Sequence, residues 1–174
     1  MACNPVVLNG LALSCGANAG GINTIYVTDI QNISGITFTG STVSGITMVT
    51  GKKWAKYDLR KNLSTFEETY NNDDTGAKYV STTTTAIFTK QDSALRDELE
   101  LLFSAQVYVI VVDNNGKYKL VGYSKNTPTY CWSNATATTG ASRSDSNQIS
   151  LTIASEQDEL SFYLDSASIL STIV

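Results

Sequence analysis

The chain is expected to be mainly β, an antiparallel β-sandwich or barrel with one flanking α-helix. Three observations carry that reading. Short runs rich in Thr, Val, Ile and Tyr recur along the 174 residues, separated by Gly, Asn and Ser clusters. One segment, Val107-Tyr-Val-Ile-Val-Val-Asp-Asn-Asn-Gly-Lys-Tyr-Lys-Leu-Val-Gly-Tyr123, has two strand-like arms about an Asn-Gly turn. Helical periodicity is clear in one place only, just before that hairpin.

Residues 1–21, rich in Gly, Ala and Asn without periodicity, are expected to form an N-terminal extended arm, and residues 22–174 a single β-sandwich domain. Ile22–Ile30 begins the strands. Gly35–Thr39 and Gly45–Thr50 follow, and the repeated Ser34-Gly-Ile-Thr37 and Ser44-Gly-Ile-Thr47 fit either the two arms of a hairpin or one long flexible loop. Lys53–Arg60 and Ser64–Tyr70 alternate in part, Asn71–Gly76 is a turn cluster, and Tyr79–Thr89 is a strand by its β-branched content.

The helix is expected at about residues 91–104. Thr89-Lys-Gln-Asp92 has capping-box spacing, with Asp in place of Glu. Leu95, Leu99, Leu102 and Phe103 then fall on one stripe, with Arg96, Asp97, Glu98 and Glu100 on the other faces. In the hairpin, Asn115-Gly116 sits where a type I′ turn needs positive φ, and Gly122 ends the return arm. Thr129–Thr138, a polar loop at Thr139–Ser146 and the alternating Gln148–Ile153 complete the pattern, and Leu160–Val174 is a candidate final strand. Val107–Val112 is apolar at every position, so both of its faces need cover.

Composition excludes several functions. The apolar fraction of 42 % is ordinary, whereas the charged fraction of 16 % is low. A net charge of −4 without a Lys/Arg cluster is no footprint for phosphate neutralisation. The start of the chain lacks a basic n-region, which makes a poor signal peptide, and no run reaches the roughly 18 apolar residues of a membrane span. Folding in a cytoplasm is therefore expected.

Histidine is absent, which removes Ser-His and Cys-His nucleophile pairs, and no local pattern supports a Lys-assisted serine. No catalytic, cofactor-binding or metal-binding residues are assigned. Cys3, Cys15 and Cys131 have no zinc-ligand spacing and are read as structural or free thiols. The pairs Glu67/Glu68, Asp73/Asp74 and Asp158/Glu159 are adjacent, so on strands they point to opposite faces, and solvated surface is expected. Asn71–Gly76 lacks the carboxylates a calcium loop needs at its first and last positions. Trp54 and Trp132 are candidate sugar-stacking residues, although aromatic residues on strands are more often core or interface.

The order of a Thr-rich strand (Tyr79–Thr89), a Leu-stripe helix (Gln91–Ser104), Val107–Val112, Asp113-Asn-Asn-Gly-Lys-Tyr-Lys-Leu-Val-Gly122, a polar Thr-Gly loop (Ala135–Asn147) and an alternating strand (Gln148–Ile153) resembles tail-tube and tail-hub structural proteins of tailed bacteriophages. The group is found in phages of gut Bacteroidetes, the crAss-like ones included. The resemblance covers about half the chain. It implies a non-enzymatic virion (tail) protein, made in the bacterial host cytoplasm, that assembles into stacked homo-oligomeric rings, hexamer-like, without cofactor or membrane. The inner sheets of neighbouring subunits would join around a channel through which DNA passes without specific binding, with other tail or portal-vertex proteins as partners. A head–tail connector or auxiliary capsid protein, and a carbohydrate-binding β-sandwich, are the alternative readings.

In the ring reading residues 40–51 are the candidate inter-subunit loop, because a surface loop has little reason to carry Val43, Ile46, Met48 and Val49. Val109 and Val111 of the apolar arm and Leu101 of the helix complete the candidate interface. The uncovered face of Val107–Val112 would then lie under the helix or against a neighbour.

Overall fold

The computed structural model describes residues 18–60, 62–74 and 76–165, together with Gly10 and Ile169. Most of the expected N-terminal arm, Cys3, Cys15 and most of the candidate final strand lie outside the described residues. No described helix is long and apolar enough to cross a membrane.

The described residues are mainly β with one α-helix element. Among the described residues, eleven strands form two packed sheets and a separate hairpin, all antiparallel. The five-stranded sheet runs in the order β11 (Phe162–Tyr163), β8 (Tyr118–Val121), β7 (Val107–Asp113), β1 (Ile22–Asp29), β4 (Ala55–Asp58). The four-stranded sheet runs β5 (Thr65–Asn72), β6 (Lys78–Thr89), β10 (Gln148–Gln157), β9 (Trp132–Thr138), and the hairpin joins β2 (Ile33–Thr39) to β3 (Thr42–Met48).

The position of β7 explains its sequence. Val107, Val109 and Val111 face an inner core shared with Ile25 and Val27 of β1, Ala86 of β6, and Ile149, Leu151 and Ile153 of β10. Leu99 and Leu102 of the helix α1 (Ser93–Ser104) enter that same core, so the helix does not cover the second face. The second face carries Ile110, which joins an outer core with Val43, Ile46, Trp54, Leu120, Phe162 and Leu164. Its lid is the β2–β3 hairpin, the segment expected to be an inter-subunit loop. That expectation is overturned: Val43 is 0 % and Ile46 8 % exposed.

The serine repeats mark how the hairpin works. Ile36 pairs with Ile46, and the register slips by one residue at Ser34 in β2 and at Ser44 in β3. Residues 43 and 46 would face opposite sides of a regular strand. The extra residue at Ser44 turns both inward, as a β-bulge does. The chain after β11 ties the hairpin to the five-stranded sheet: Asp165 N donates to Val43 O of β3 (2.9 Å) and Leu164 N to Tyr118 O of β8 (3.0 Å).

Two local expectations change. The helix starts at Ser93 with Asp92 itself as N-cap, its carboxylate accepting from Leu95 N at 2.8 Å, while Thr89 stays in β6. The β7–β8 turn is not type I′, since among its residues only Gly116 has positive φ (73°). Gly116 N donates to Asp113 O (3.1 Å), and the Asp113 carboxylate accepts from Asn115 N and Lys117 N. This is a three-residue loop ending in a left-handed glycine.

Gly122 is fixed by space as well as by conformation. Its φ is 86°, and a Cβ there would stand 2.5 Å from Cys131 Sγ and 3.2 Å from Cys131 N. Gly122→Ala is expected to cost at least about 2 kcal/mol, read as a lower denaturant midpoint at unchanged slope. Replacing Ser41–Thr50 with a short Gly-Ser link is expected to expose Ile110, Leu120 and Trp54 and yield insoluble or molten protein. A soluble variant with an unchanged melting temperature would contradict the hairpin's covering role.

Candidate assembly surface

Strand alternation divides the four-stranded sheet into two unlike faces. Toward the inner core β6 turns Val80, Thr82, Thr84 and Ala86, and β10 turns Ile149, Leu151, Ile153, Ser155 and Gln157. The opposite face has no described layer over it. Register places Thr65, Thr85, Thr152 and Asn134 on one line across the four strands, with Thr69, Ser81 and Glu156 on another. Strand positions on this outer face carry hydroxyls, amides, Trp132, Tyr79, Ile87 and Ala154, two carboxylates (Glu67 and Glu156), and no Lys or Arg.

That sheet ends in two edges with no described strand beyond them. β9 has no charge, no proline and no register slip against β10, and none of its residues is fully buried. Such an edge offers unpaired backbone groups to another strand. β5, at the far side, carries Glu67 outward and Glu68 inward.

The sequence-derived interface residues divide accordingly. Val43, Ile46, Val109 and Val111 are buried in this subunit's own cores and cannot meet a neighbour. Their burial follows from a strand covered on two faces and from the bulge that turns the hairpin inward. Met48 is half-buried against the outer core, whereas Val49 (40 %) and Leu101 (69 %) are exposed. Trp54 is buried with its indole Nε1 unpartnered, which removes it as a sugar-stacking platform. Trp132 is exposed on the outer face.

The strand at Thr129–Thr138 is legible in the sequence and appears as β9, but its place at a sheet edge is not, nor is the exposure of Tyr70, Phe103 and Tyr130. The signal present was the uncharged Trp-Ser-Asn-Ala-Thr-Ala-Thr run, too weakly apolar to mark a buried strand.

A polar seam ties the two sheets together. Thr82 Oγ1 and Ser155 Oγ lie 2.7 Å apart, and Ser155 reaches Gln157 Oε1 at 3.4 Å. Gln157 accepts from Gly122 N (2.9 Å), and its Nε2 donates to Glu159 O and Ser161 Oγ. Ser161 N donates to Glu68 Oε1 (2.7 Å), whose other oxygen meets Lys119 Nζ at 2.5 Å. Glu68, expected on solvated surface, is thus a largely buried link from β5 to β8, because strand alternation turns it toward the seam while Glu67 faces out.

Electrostatics of the interior all push one way. Partial burial is the largest single influence on Lys119 and disfavours its ammonium, but the hydrogen bond and charge of Glu68, together with Tyr163, outweigh it and raise the pKa. Burial pushes the Cys131 thiol up to about 12, against a smaller opposing hydrogen bond from Ser155. Burial, helped by Glu98, pushes Tyr57 up to about 12. No cluster of three His, Cys, Asp or Glu capable of holding a metal occurs among the described residues. Comparison with protein families and with curated proteins finds no match.

In each of these three groups the folded state keeps a proton that the unfolded chain loses first. Stability is therefore fully present below the ordinary values and lost as pH rises through the folded ones. The unfolding midpoint is expected to fall between pH 9 and about 12, the range spanned by Cys131. Cys131→Ala should delay the onset by about one pH unit, to where Tyr57 and Lys119 begin to differ. An unchanged alkaline limb would contradict this assignment.

Proposed function

We propose that this protein is a non-enzymatic structural subunit of a tailed-bacteriophage virion, a ring-forming tail-tube or tail-hub protein. The observation that carries the reading is the outer face of the four-stranded sheet, whose strand positions hold no Lys or Arg and whose two edges have no described strand beyond them. Strand direction alternates through β5, β6, β10 and β9, so β9 of one copy and β5 of the next, in the same orientation, run antiparallel. Two different edges meeting head to tail close into a ring when the rotation is right. The uncovered hydroxyl faces would then line a continuous barrel. The resemblance of Tyr79–Ile153 to tail-tube proteins supports the same reading.

A wall along which DNA slides must not hold phosphates. Hydroxyls with two carboxylates per subunit give weak, repulsive contact where lysines would bind and release counterions. The interior polar seam and the thiol of Cys131 need no catalytic role, since each is accounted for by joining the sheets or filling the core.

Exposed Trp132, two residues from exposed Tyr130, favours a second reading as a carbohydrate-binding module. Quenching of Trp132 fluorescence by glycans would select it, and particle position would separate a tail subunit from a connector.

Negative-stain microscopy and sedimentation of the purified protein are expected to show rings or tubes, and a strictly monomeric protein at all concentrations would reject the ring reading. Double-stranded DNA is expected to bind more weakly than micromolar at physiological salt. A Thr83→Lys, Thr85→Lys, Thr152→Lys variant should gain affinity steeply dependent on salt. Tight binding by the unaltered protein would contradict the sliding wall.

A further inference from the structure

Between α1 and β9 the open edge meets an apolar wall. The groove there holds about 460 Å³ and is lined by Leu99, Phe103, Ala135, Ala137 and Ile149, with Arg96 and Glu100 also facing it. Its floor exists because β9 turns only Ser133, Ala135 and Ala137 to this side, where β10 turns Ile149, Leu151 and Ile153. Small side chains at an edge leave beside them the room that larger residues fill one strand inward.

At the opposite edge of the sheet the same side of β5 carries Phe66, Glu68 and Tyr70. Phe66 packs on the inner core and Glu68 belongs to the polar seam, but Tyr70 is 58 % exposed. An apolar groove at one edge and a projecting tyrosine at the other, on the same side of one sheet, are the two halves of a single contact. Antiparallel addition of β5 to β9 keeps Tyr70 on the α1 side, because side-chain alternation is continuous across a sheet.

We propose that Tyr70 of the neighbouring copy seats in the α1–β9 groove, its ring against Ala135 and Phe103 and its hydroxyl toward Arg96 and Glu100. The inference rests on the ring reading and deepens it, naming the edges that meet and the side chain that anchors them. Tyrosine suits this place: a rigid apolar ring with one polar end, of the kind that dominates interface energies.

The test compares the assembly threshold of Tyr70→Ala and Ala135→Trp with the unaltered protein, by sedimentation and microscopy. Tyr70→Phe and Tyr163→Ala, the latter at another exposed tyrosine, are the controls. Tyr70→Ala and Ala135→Trp are each expected to raise the threshold at least about tenfold, the factor that corresponds to loss of one anchor contact. Their melting temperatures should not move, since both positions are exposed. Tyr70→Phe, which keeps the ring and loses only the hydroxyl, should raise the threshold less than Tyr70→Ala does, and Tyr163→Ala should assemble as before. Mixing Tyr70→Cys with Ala135→Cys should give a covalent dimer that neither variant forms alone. If the unaltered protein assembles while Tyr70→Ala keeps its threshold, or the mixed cysteines fail to join, the anchor is wrong and the ring reading stands. Loss of assembly in Ala135→Trp alone means that another segment occupies the groove, which also overturns the proposal. A protein that never assembles overturns both.

Discussion

A β-strand with no polar face must be covered twice, and β7 is such a strand. Its odd-numbered valines need one apolar layer and Ile110 needs another, so the molecule has three layers where a simple sandwich has two. The four-stranded sheet and α1 supply the first cover and the β2–β3 hairpin the second. Everything else is arranged by that requirement. With the hairpin occupying the far side of the five-stranded sheet, the only broad sheet face without a described covering layer belongs to the other sheet. Of its strands β10 alternates most plainly, with Ile149, Leu151 and Ile153 inward and Ser150 and Thr152 outward.

Much of this could be read from residues alone. The helix, the β7–β8 hairpin and the alternation of β10 follow from short-range patterns, and each lies within a few residues of its expected place. The failures were of a different kind. Val43 and Ile46 are spaced wrongly for a regular strand, and a Gly/Ser/Thr-rich stretch with scattered apolar residues resembles a docking loop. The bulge at Ser44 reconciles the spacing with burial, and bulges leave no periodic trace. The helix cap likewise falls at Asp92 and not at Thr89, because both are good caps and only the end of β6 decides between them.

The candidate surface was harder to find than the fold. Thr82-Thr-Thr-Thr85 announces a strand, but nothing local says that Thr82 and Thr84 are buried while Thr83 and Thr85 face outward. That distinction depends on which sheet the hairpin covers, a long-range fact. The inter-sheet link from Glu68 to Lys119 is likewise invisible in sequence, since Glu67 and Glu68 are chemically alike and differ only in which way the pleat turns them.

The central place of β7 also governs how the chain acquires its shape during synthesis. β1 pairs with β7 and β6 with β10, so the strands on both sides of the inner core find their partners late. The β2–β3 hairpin closes locally and early, yet the surface it is built to cover does not exist until residues 107–113 have emerged. Nascent chains therefore present the apolar sides of β1 and of the hairpin without a counterpart through most of translation. Domains dominated by such distant pairings fold slowly and are exposed to aggregation meanwhile. A ribosome-bound intermediate lacking β7 is the species that chaperones would meet.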